Sequence, residues 1–355
     1  MRIIHTSDIH LDSPLTARLS PDKIRERKRE LIASFRRTID KARDLGATAY
    51  LIAGDLFDSD RCNRSTLQNL MATVASVPEI TFFYLYGNHE KRMLSESGVT
   101  LPDNLKLFEE GWTYYTLGDV VIAGRCETAP GMFDELRLDP EKRNVVVLHG
   151  ELTDRSDRGG MIGRREVAEC PIDYLALGHY HSYSETKINE RCTAVYSGTP
   201  EGRGFDEAGE CGIVLLDVDR YDVRHEFIRC AKRTLHLVNA DISGSKNSLD
   251  VENAVINATR GIPYTDIVRV LLVGERELEL GYDTDAIKER LGARYYFFEV
   301  RDNARVRINI DDYKNDLSLK GEFIRSVMAD GSLTDEKRVS VITAGLRALM
   351  GEEIE

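Results

Sequence analysis

The sequence lacks the features that mark secreted, membrane-spanning or zinc-finger proteins. It has six cysteines in 355 residues and no CxxC pair, which argues against a zinc finger and favours reduced thiols in or near the core. No apolar run approaches the roughly 20 residues that span a bilayer. The N-terminus, MRIIHTSDIHLDS, soon turns polar and has no signal-peptide apolar region. We therefore expect a cytoplasmic protein that makes no membrane contact.

Positive charge is also scarce. The chain has 48 lysines and arginines against 60 aspartates and glutamates, a formal net charge of −12. Nonspecific affinity for nucleic acid normally rests on cationic contacts to phosphate. The composition by itself therefore argues against a free-standing DNA-binding protein. A DNA substrate would have to be held by local basic patches or by a partner subunit.

The order of the predicted elements indicates a layered α/β fold. Strands are predicted over residues 2–7, 48–54 and 80–87, and helices over 21–45 and 63–76. This β-α-β-α-β order predicts a parallel sheet covered by helices. Strand-like runs dominate the next hundred residues, which predicts a second sheet packed on the first. The expected architecture is an αββα sandwich of four layers.

The pattern changes near Arg233, and it predicts a chain of three parts. Residues 1–232 form the sandwich domain, 233–315 a small α+β unit and 316–355 a terminal segment of two amphipathic helices. The length suits this division, since it exceeds what one hydrophobic core usually supports.

Histidines, carboxylates and an asparagine follow the predicted strands at the points where the strands end. The set, in chain order, is Asp8, His10, Asp55, Asp58, Asn88, His89, Glu90, His149, His179 and His181. Because the carboxyl ends of parallel strands open on one edge of a sheet, we expect these side chains to lie close together. Each motif alone is weak evidence, but five of them at strand ends in one chain are not coincidence. His5, His225 and His236 lie outside the pattern and are interpreted as structural.

The ligand types indicate a two-metal centre. Oxygen and nitrogen ligands without thiolate suit Mn²⁺, Fe²⁺ or Zn²⁺. Roughly seven or eight ligands are too many for one ion with an open position, but they suit two ions about 3.5–4 Å apart that share a bridging carboxylate. Such a pair activates water for attack at phosphorus.

Five motifs carry a resemblance to a known family. DxH, GDxxD, GNH[DE], an isolated strand-end His and GHxH, in this order, resemble the calcineurin-like metallophosphoesterase superfamily. The longer strings HTSDIHLDSPL, LIAGDLFDS, LYGNHE, LALGHYH and YSGTPEGRGFDE are similar to the SbcD/YhaO-type DNA repair exonuclease family. The similarity covers the whole chain and is most specific over residues 1–210. It implies the metallophosphoesterase sandwich with a small C-terminal capping domain.

The resemblance implies a role for each metal ligand. Asp55 would bridge the two ions. One ion would be held by Asp8, His10 and His181, and the other by Asn88, His149 and His179.

The resemblance also implies which residues act on the substrate. His89 would face the scissile phosphate and protonate the leaving 3′-oxygen, and Glu90, which stands where the family usually has Asp, would orient the His89 ring. Asp58 matches the acidic position that closes GDxxD and would shape the site from behind the ligands.

Basic residues give weaker signals. The stretch 155–165 carries Arg155, Arg158, Arg164 and Arg165 and could hold DNA phosphates, although a solvated surface loop explains it equally well. Arg203, in the YSGTPEGRG turn, is a candidate for contacting the substrate at the edge of the site. The many charges of the helix over 22–44 are interpreted as a solvated helix surface.

The leading interpretation is a two-metal-dependent DNA nuclease, an exo- or endonuclease in DNA repair, that uses two divalent ions taken to be Mn²⁺. One alternative is a metallophosphoesterase for a non-DNA phosphodiester or a phosphoprotein. Another is a scaffold subunit of an ATPase complex, against which the complete ligand set argues. The resemblance implies DNA, an SbcC-like coiled-coil ABC-type ATPase and a second copy in a homodimer as partners. Residues 63–76 match the position of a dimer helix, but core packing explains them as well.

Overall fold

A computed structural model describes residues 1–11, 13, 15, 19–58, 64–86, 90, 94, 98–277, 280–307, 313 and 316–349. The chain forms two compact units, residues 1–236 and 237–355, each with its own hydrophobic core. Among the described residues, no helix is both long enough and apolar enough to cross a membrane. Cys62 lies outside the described residues, and the other five cysteines carry free thiols.

The first unit alternates strands and helices along the chain. In order, its elements are β1 (Arg2–Thr6), α1 (Pro21–Asp44), β2 (Ala49–Ala53), α2 (Arg64–Ala75), β3 (Thr81–Leu85), β4 (Leu105–Leu107), β5 (Thr113–Leu117), β6 (Val120–Gly124), β7 (Arg143–His149), β8 (Glu151–Thr153), β9 (Met161–Gly163), α3 (Arg164–Glu169), β10 (Tyr174–Gly178), β11 (Ser184–Lys187), β12 (Thr193–Tyr196), β13 (Gly212–Val218) and β14 (Val223–Arg229).

Two six-stranded sheets form the centre of this unit. The first has the order β14-β13-β1-β2-β3-β4, with parallel pairing from β1 to β4 and antiparallel pairing at β13 and β14. The second has the order β11-β12-β10-β7-β6-β5, with four parallel central strands between antiparallel edge strands. The predicted parallel core and the second sheet are confirmed.

The alternation of side chains along each strand divides the core into layers. On β2, Leu51 packs between the two sheets with Val147 of the second sheet, whereas Tyr50 faces the helices. The apolar faces of α1 and α2 cover the outer side of the first sheet, and α3 covers the outer side of the second through Val167. The predicted four-layer αββα sandwich is therefore confirmed.

Only the second half of the stretch 155–165 differs from the sequence expectation of a loop. It contains β9, which pairs with β8 in parallel, and the first turn of α3. Ile162 and Val167 are both fully buried, so their apolar side chains draw this stretch onto the second sheet. The helix α2, proposed above as a dimer helix, likewise has its apolar residues Leu67 and Leu70 in the core.

The second unit is a small α+β structure. Its elements are β15 (Leu235–Asp241), α4 (Ser248–Ala258), β16 (Ile267–Val273), β17 (Glu275–Glu277), α5 (Thr284–Gly292), β18 (Phe297–Asp302), β19 (Arg305–Arg307), α6 (Leu319–Ala329) and α7 (Asp335–Leu349). A three-stranded sheet, β15-β16-β18, packs against α4 and α5, and α6 packs against α7 through Ile324 and Ile342. The capping role of this unit and the boundaries of the three predicted parts stay predictions.

A cluster of buried charges joins α1 to the chain before β13. Arg27, only 1% exposed, donates hydrogen bonds to Glu30, to Glu201 (2.9 Å) and to the carbonyl oxygen of Gly202 (2.8 Å). Arg233 donates to Glu30 as well, with Nη2 2.8 Å from Oε1. We call these residues the α1 charge cluster. Burial raises the pKa of Glu30, but the bonds from Arg233, Lys232 and Arg27 outweigh this and lower the pKa to about 2.

The interpretation of the α1 charges as a solvated surface is therefore wrong for part of the helix. Arg27 and Glu30 lie on its buried face, beside Leu31 and Ser34. A helical pattern marks the buried face by its apolar residues, and it cannot show that a distant chain segment supplies opposite charges to that same face.

Removal of Arg27 should destabilise the fold strongly. In Arg27→Met, Glu30 and Glu201 would lose a cation inside the protein, which typically costs about 3–5 kcal/mol. Arg25→Met is the matched control, because Arg25 pairs with Asp22 on the surface and should change stability by less than about 0.5 kcal/mol. Urea unfolding followed by circular dichroism measures both. Equal midpoints for the two variants would contradict a stabilising role of the cluster.

Candidate metal centre

The predicted ligands come together where strands of the two sheets end. Asp8 follows β1, Asp55 follows β2, His149 ends β7 and His179 follows β10. Backbone hydrogen bonds hold the strand ends together: the Asp8 amide donates to the carbonyl of Gly54 (3.2 Å). The His179 amide donates to both Asp8 carboxylate oxygens (3.1 Å each) and so joins the two sheets.

The backbone at these positions is strained. Asp8, His10, Asp55 and His179 have φ of 50°, 48°, 49° and 116°, and they are the only non-glycine residues in the described part of the chain with positive φ. Such conformations cost of the order of 1–3 kcal/mol each and persist where the surrounding structure fixes them. All four belong to the predicted ligand set, so the strain is concentrated at the candidate site.

The first group of converging ligand atoms consists of Asp8, His10 and His181. The Nε2 atoms of His10 and His181 lie 3.3 Å apart. Asp8 Oδ1 lies 4.0 Å from the first of these nitrogens and 3.9 Å from the second. The three side chains that the sequence assigns to one ion therefore face a common point.

The second group consists of Asp8, Asp55 and His149. Asp55 Oδ2 lies 3.7 Å from His10 Nε2 and 3.6 Å from His149 Nε2, so it lies between the two groups, as a bridging ligand must. The His179 ring lies beside that of His149, with 5.6 Å between ring centres. Asn88 and His89 lie outside the described residues.

Three imidazoles have an oxygen atom close to Nδ1, and at His149 and His181 the contact is a hydrogen bond. His149 Nδ1 lies 3.0 Å from the carbonyl oxygen of Ala53. His10 Nδ1 lies 3.1 Å from Asp58 Oδ1, and His181 Nδ1 lies 2.8 Å from Glu207 Oε1. At His149 and His181 these acceptors favour the tautomer that carries its proton on Nδ1, which leaves the Nε2 lone pair free to bind a metal, whereas the contact of His10 Nδ1 with Asp58 lacks hydrogen-bond geometry.

These tautomers provide a test of whether the residues fit a cation. With its proton on Nδ1, His181 directs the lone pair of Nε2 at His10 Nε2, 3.3 Å away. Asp8 adds a carboxylate that is completely buried. A nitrogen lone pair beside a buried anion is unfavourable unless a hydrogen-bond donor or a positive charge lies between them. The arrangement fits a divalent ion held by nitrogen and oxygen ligands.

The pKa shifts of the site have identifiable causes. Burial raises the pKa of Asp8, while nearby His149 and the Ser7 hydrogen bond lower it in part. Burial, followed by the positive charge of Arg203, lowers the pKa of His10, which keeps its ring neutral. The bond to Glu207 raises the pKa of His181. Carboxylates must be ionised and imidazoles neutral to bind a metal, so metal binding at this site is linked to proton release.

Sequence reasoning did not assign roles to several residues that support the ligands. Glu207, which is only 3% exposed, holds His181. Ser7 Oγ donates a 2.5 Å hydrogen bond to Asp8. Ser197 Oγ lies 2.9 Å from Ser7 Oγ. Both serines and Glu207 stand in the strings HTSDIHLDSPL and YSGTPEGRGFDE, which is the signal that could have identified them.

Glu90 is described although its predicted partner His89 is not. It is 3% exposed, and its Oε1 accepts a 2.9 Å hydrogen bond from the backbone amide of Phe57. It therefore braces the segment between Asp55 and Asp58. Its predicted orientation of the His89 ring stays a prediction.

The predicted phosphate-contacting arginines fall into two groups. Arg155, Arg158, Arg164 and Arg165 are exposed. Arg203 is largely buried among its neighbours, with 11% of its side chain exposed. The structure tests contact with DNA for neither group, and these roles stay predictions.

Comparison with known proteins identifies relatives of this fold and site. The family model described as calcineurin-like phosphoesterase matches residues 1–183. The metallophosphoesterase YhaO of Bacillus subtilis is 26% identical over 70% of this chain and 64% of its own length. The DNA double-strand break repair protein Mre11 of Methanosarcina mazei is 29% identical over 72% of this chain and 42% of its own length.

The chain thus spans about half the length of the curated relatives it matches. Among solved structures, the protein TT1561 of Thermus thermophilus aligns with 64% of this chain and 99% of its own, at a TM-score of 0.40 and 13% identity.

A side chain at position 178 should displace His149. A Cβ on Gly178 would lie 1.9 Å from the Ala53 carbonyl oxygen and 2.8 Å from His149 Nδ1, the two atoms of the bond that orients this ring. We expect Gly178→Ala to weaken Mn²⁺ binding by roughly 10- to 100-fold, as loss of a ligand-orienting bond does.

Isothermal titration with Mn²⁺ measures this effect, with thermal melting to confirm folding. Gly111→Ala is the control, because a Cβ there meets nothing within 4 Å. Wild-type affinity in Gly178→Ala would show that the bond between His149 and Ala53 does not govern metal binding.

Proposed function

The chain belongs to the calcineurin-like phosphoesterase family, and from that membership we propose that it is a two-metal-dependent DNA nuclease that acts in DNA repair. The observation that carries the proposal is the convergence of Asp8, Asp55, His10, His149 and His181 in two groups that share Asp8, where strands of the two sheets end.

Each metal ligand has a role in this proposal. Asp55 would serve both of two divalent ions, which we take to be Mn²⁺. Asp8, His10 and His181 would hold one ion, and Asn88, His149 and His179 would hold the other. When bound, such a pair activates water and neutralises charge as the phosphodiester is displaced in line. Glu207 keeps the His181 imidazole in the ligating tautomer, and Asp58 lies 3.1 Å from Nδ1 of His10.

We assign the role of general acid to His89. As a protonated imidazole it would face the scissile phosphate and deliver its proton to the leaving 3′-oxygen. Glu90, fixed by the Phe57 amide, would hold the ring in that orientation. Glu is one methylene longer than the Asp usual in the family. The hydrogen bond from the Phe57 amide fixes the position of the Glu90 carboxylate despite this longer side chain.

Two considerations favour DNA as the substrate. Three relatives are named as DNA double-strand break repair proteins, and each aligns over about 70% of this chain. The exposed arginines 155, 158, 164 and 165 follow His149 closely in the chain, where they would meet phosphates beside the metals. A coiled-coil ABC-type ATPase of the SbcC kind and a second copy of the chain are the partners we propose.

A hydrolysis assay on the whole chain tests the substrate. Single- and double-stranded DNA, bis(p-nitrophenyl) phosphate and a phosphopeptide are compared in Mn²⁺, Mg²⁺ and chelator. We expect hydrolysis of DNA and of the small diester in Mn²⁺ and none in chelator. Hydrolysis of the small diester or the phosphopeptide, with no hydrolysis of DNA, would establish a non-DNA phosphoesterase. Two bound ions with no hydrolysis would favour a scaffold.

Loss of the bridging carboxylate should abolish activity. In Asp55→Asn the side chain keeps its shape but loses the negative charge that serves both ions. We expect hydrolysis at background level and loss of bound metal, measured by plasma emission spectrometry after gel filtration. Asp103→Asn, at an exposed carboxylate in the loop before β4, is the control. Near-normal turnover in Asp55→Asn would exclude the two-metal mechanism.

Replacement of His89 should separate chemistry from metal binding. His89→Ala should retain both ions, because this residue is assigned no metal. Turnover should fall by roughly 10²- to 10⁴-fold, the usual effect of losing a general acid. Single-turnover kinetics together with metal content measure the two effects. A matching loss of metal would identify His89 as a ligand instead.

A further inference from the structure

Arg203 lies between two carboxylates that each contact a histidine of the same ligand group. Its Nε lies 3.0 Å from Glu207 Oε1, its Nη2 also donates to Glu207, and its backbone amide donates to Glu207 Oε2 at 2.7 Å. On the other side, its Nη1 lies 3.5 Å from Asp58 Oδ1. A single guanidinium thus links Glu207, which holds His181, to Asp58, which contacts His10.

The proton positions in this chain of contacts follow from the chemistry of the groups. Arg203 Nη2 lies 3.2 Å from His181 Nδ1, and a guanidinium can only donate. Glu207, at 2.8 Å, is the better partner for Nδ1, because the carboxylate can accept from the imidazole and from the guanidinium together. His181 therefore carries its proton on Nδ1, and Nε2 faces Asp8 and His10.

Arg203 itself is fixed by the segment that carries it. Two residues earlier, Glu201 accepts hydrogen bonds from Arg27 and Arg37 of α1, and the carbonyl of the intervening Gly202 accepts from Arg27. The α1 charge cluster thus anchors the chain immediately before Arg203. The guanidinium is placed by a rigid part of the sandwich.

Little of Arg203 remains for a substrate. Its side chain is 11% exposed, and its nitrogens contact Glu207, Asp58 and the hydroxyl of Ser13 (3.2 Å). A phosphate-binding arginine has to present donors to solvent, whereas these donors are already directed at carboxylates.

We propose that Arg203 is a positioning residue of the metal centre, which fixes the rings of His10 and His181 by holding Asp58 and Glu207 in one clamp. Its planar fork suits this task, since it can donate to two carboxylates in fixed directions, whereas a lysine supplies only a point charge. The inference rests on the metal centre of the proposed function and is independent of DNA as the substrate.

Titration of the whole chain with Mn²⁺ tests the clamp. Arg203→Lys keeps the charge but removes the fork, and Glu207→Gln keeps the shape but removes the charge. Each should bind one of two Mn²⁺ ions roughly 10- to 100-fold more weakly than the wild type and leave the other site nearly unchanged. Arg143→Lys is the matched control, because Arg143 donates to buried Asp173 (2.6 Å) at the opposite end of β10 and should bind as the wild type does.

Nitrogen NMR of ¹⁵N-histidine-labelled, metal-free protein gives a readout that needs no ion. The wild type should show His181 protonated on Nδ1, and Arg203→Lys should show a mixture of tautomers. Should either variant fail to fold, the other carries the test.

Three results decide the matter. Weaker Mn²⁺ binding with altered His181 tautomers in Arg203→Lys supports the clamp. Wild-type Mn²⁺ affinity combined with a raised KM for a phosphodiester would identify Arg203 as a substrate contact and overturn it. A wild-type chain that binds no Mn²⁺ would overturn both the clamp and the proposed function. This result can be distinguished from the others, because the Arg203→Lys and Arg143→Lys chains would then behave alike.

Discussion

A completely buried carboxylate at the end of β1 determines much of the structure around it. Asp8 belongs to both groups of converging ligand atoms. An ionised carboxylate away from water is stable only when hydrogen bonds and opposite charges compensate its lost hydration. Ser7 and the His179 amide supply the hydrogen bonds, and burial still raises the pKa of Asp8. The remaining compensation requires positive charge, and the imidazole Nε2 atoms and the second carboxylate beside Asp8 are ligands that would hold a cation there.

The support for these ligands is distributed over both sheets. The Ala53 carbonyl orients His149 across the sandwich, while Asp58 and Glu207 contact His10 and His181. Strained φ values at four ligand positions persist because the paired strands β1, β2 and β10, which end shortly before these residues, fix the neighbouring backbone. Strand ends joined in this way can hold ligand positions closely, as loops alone could not.

Local patterns in the sequence predicted the strands, the helices and the ligand set, because each ligand stands next to the apolar run that positions it. Contacts between distant residues escaped prediction. Arg27 and Glu201 are separated by 174 positions, so the helical pattern of α1 gave no sign that its charges are buried. The same holds for Arg203 and Asp58, which are 145 positions apart. Residues 161–165 were expected to belong to a loop because the neighbouring glycines and arginines masked Ile162, whose burial recruits them to the second sheet.

The buried ion pairs also change what the composition implies about a polyanionic substrate. A net charge of −12 already opposes approach of DNA, and Arg27, Arg203 and Arg233 are directed at internal carboxylates. These arginines add no positive potential at the surface, so a count of basic residues overstates what a phosphate backbone would meet. Positive charge for a nucleic acid would then come from bound divalent ions and from exposed residues such as Arg155 and Arg158. DNA affinity in such a protein should depend on the metal ions as well as on salt, because the ions supply part of the charge that phosphate requires.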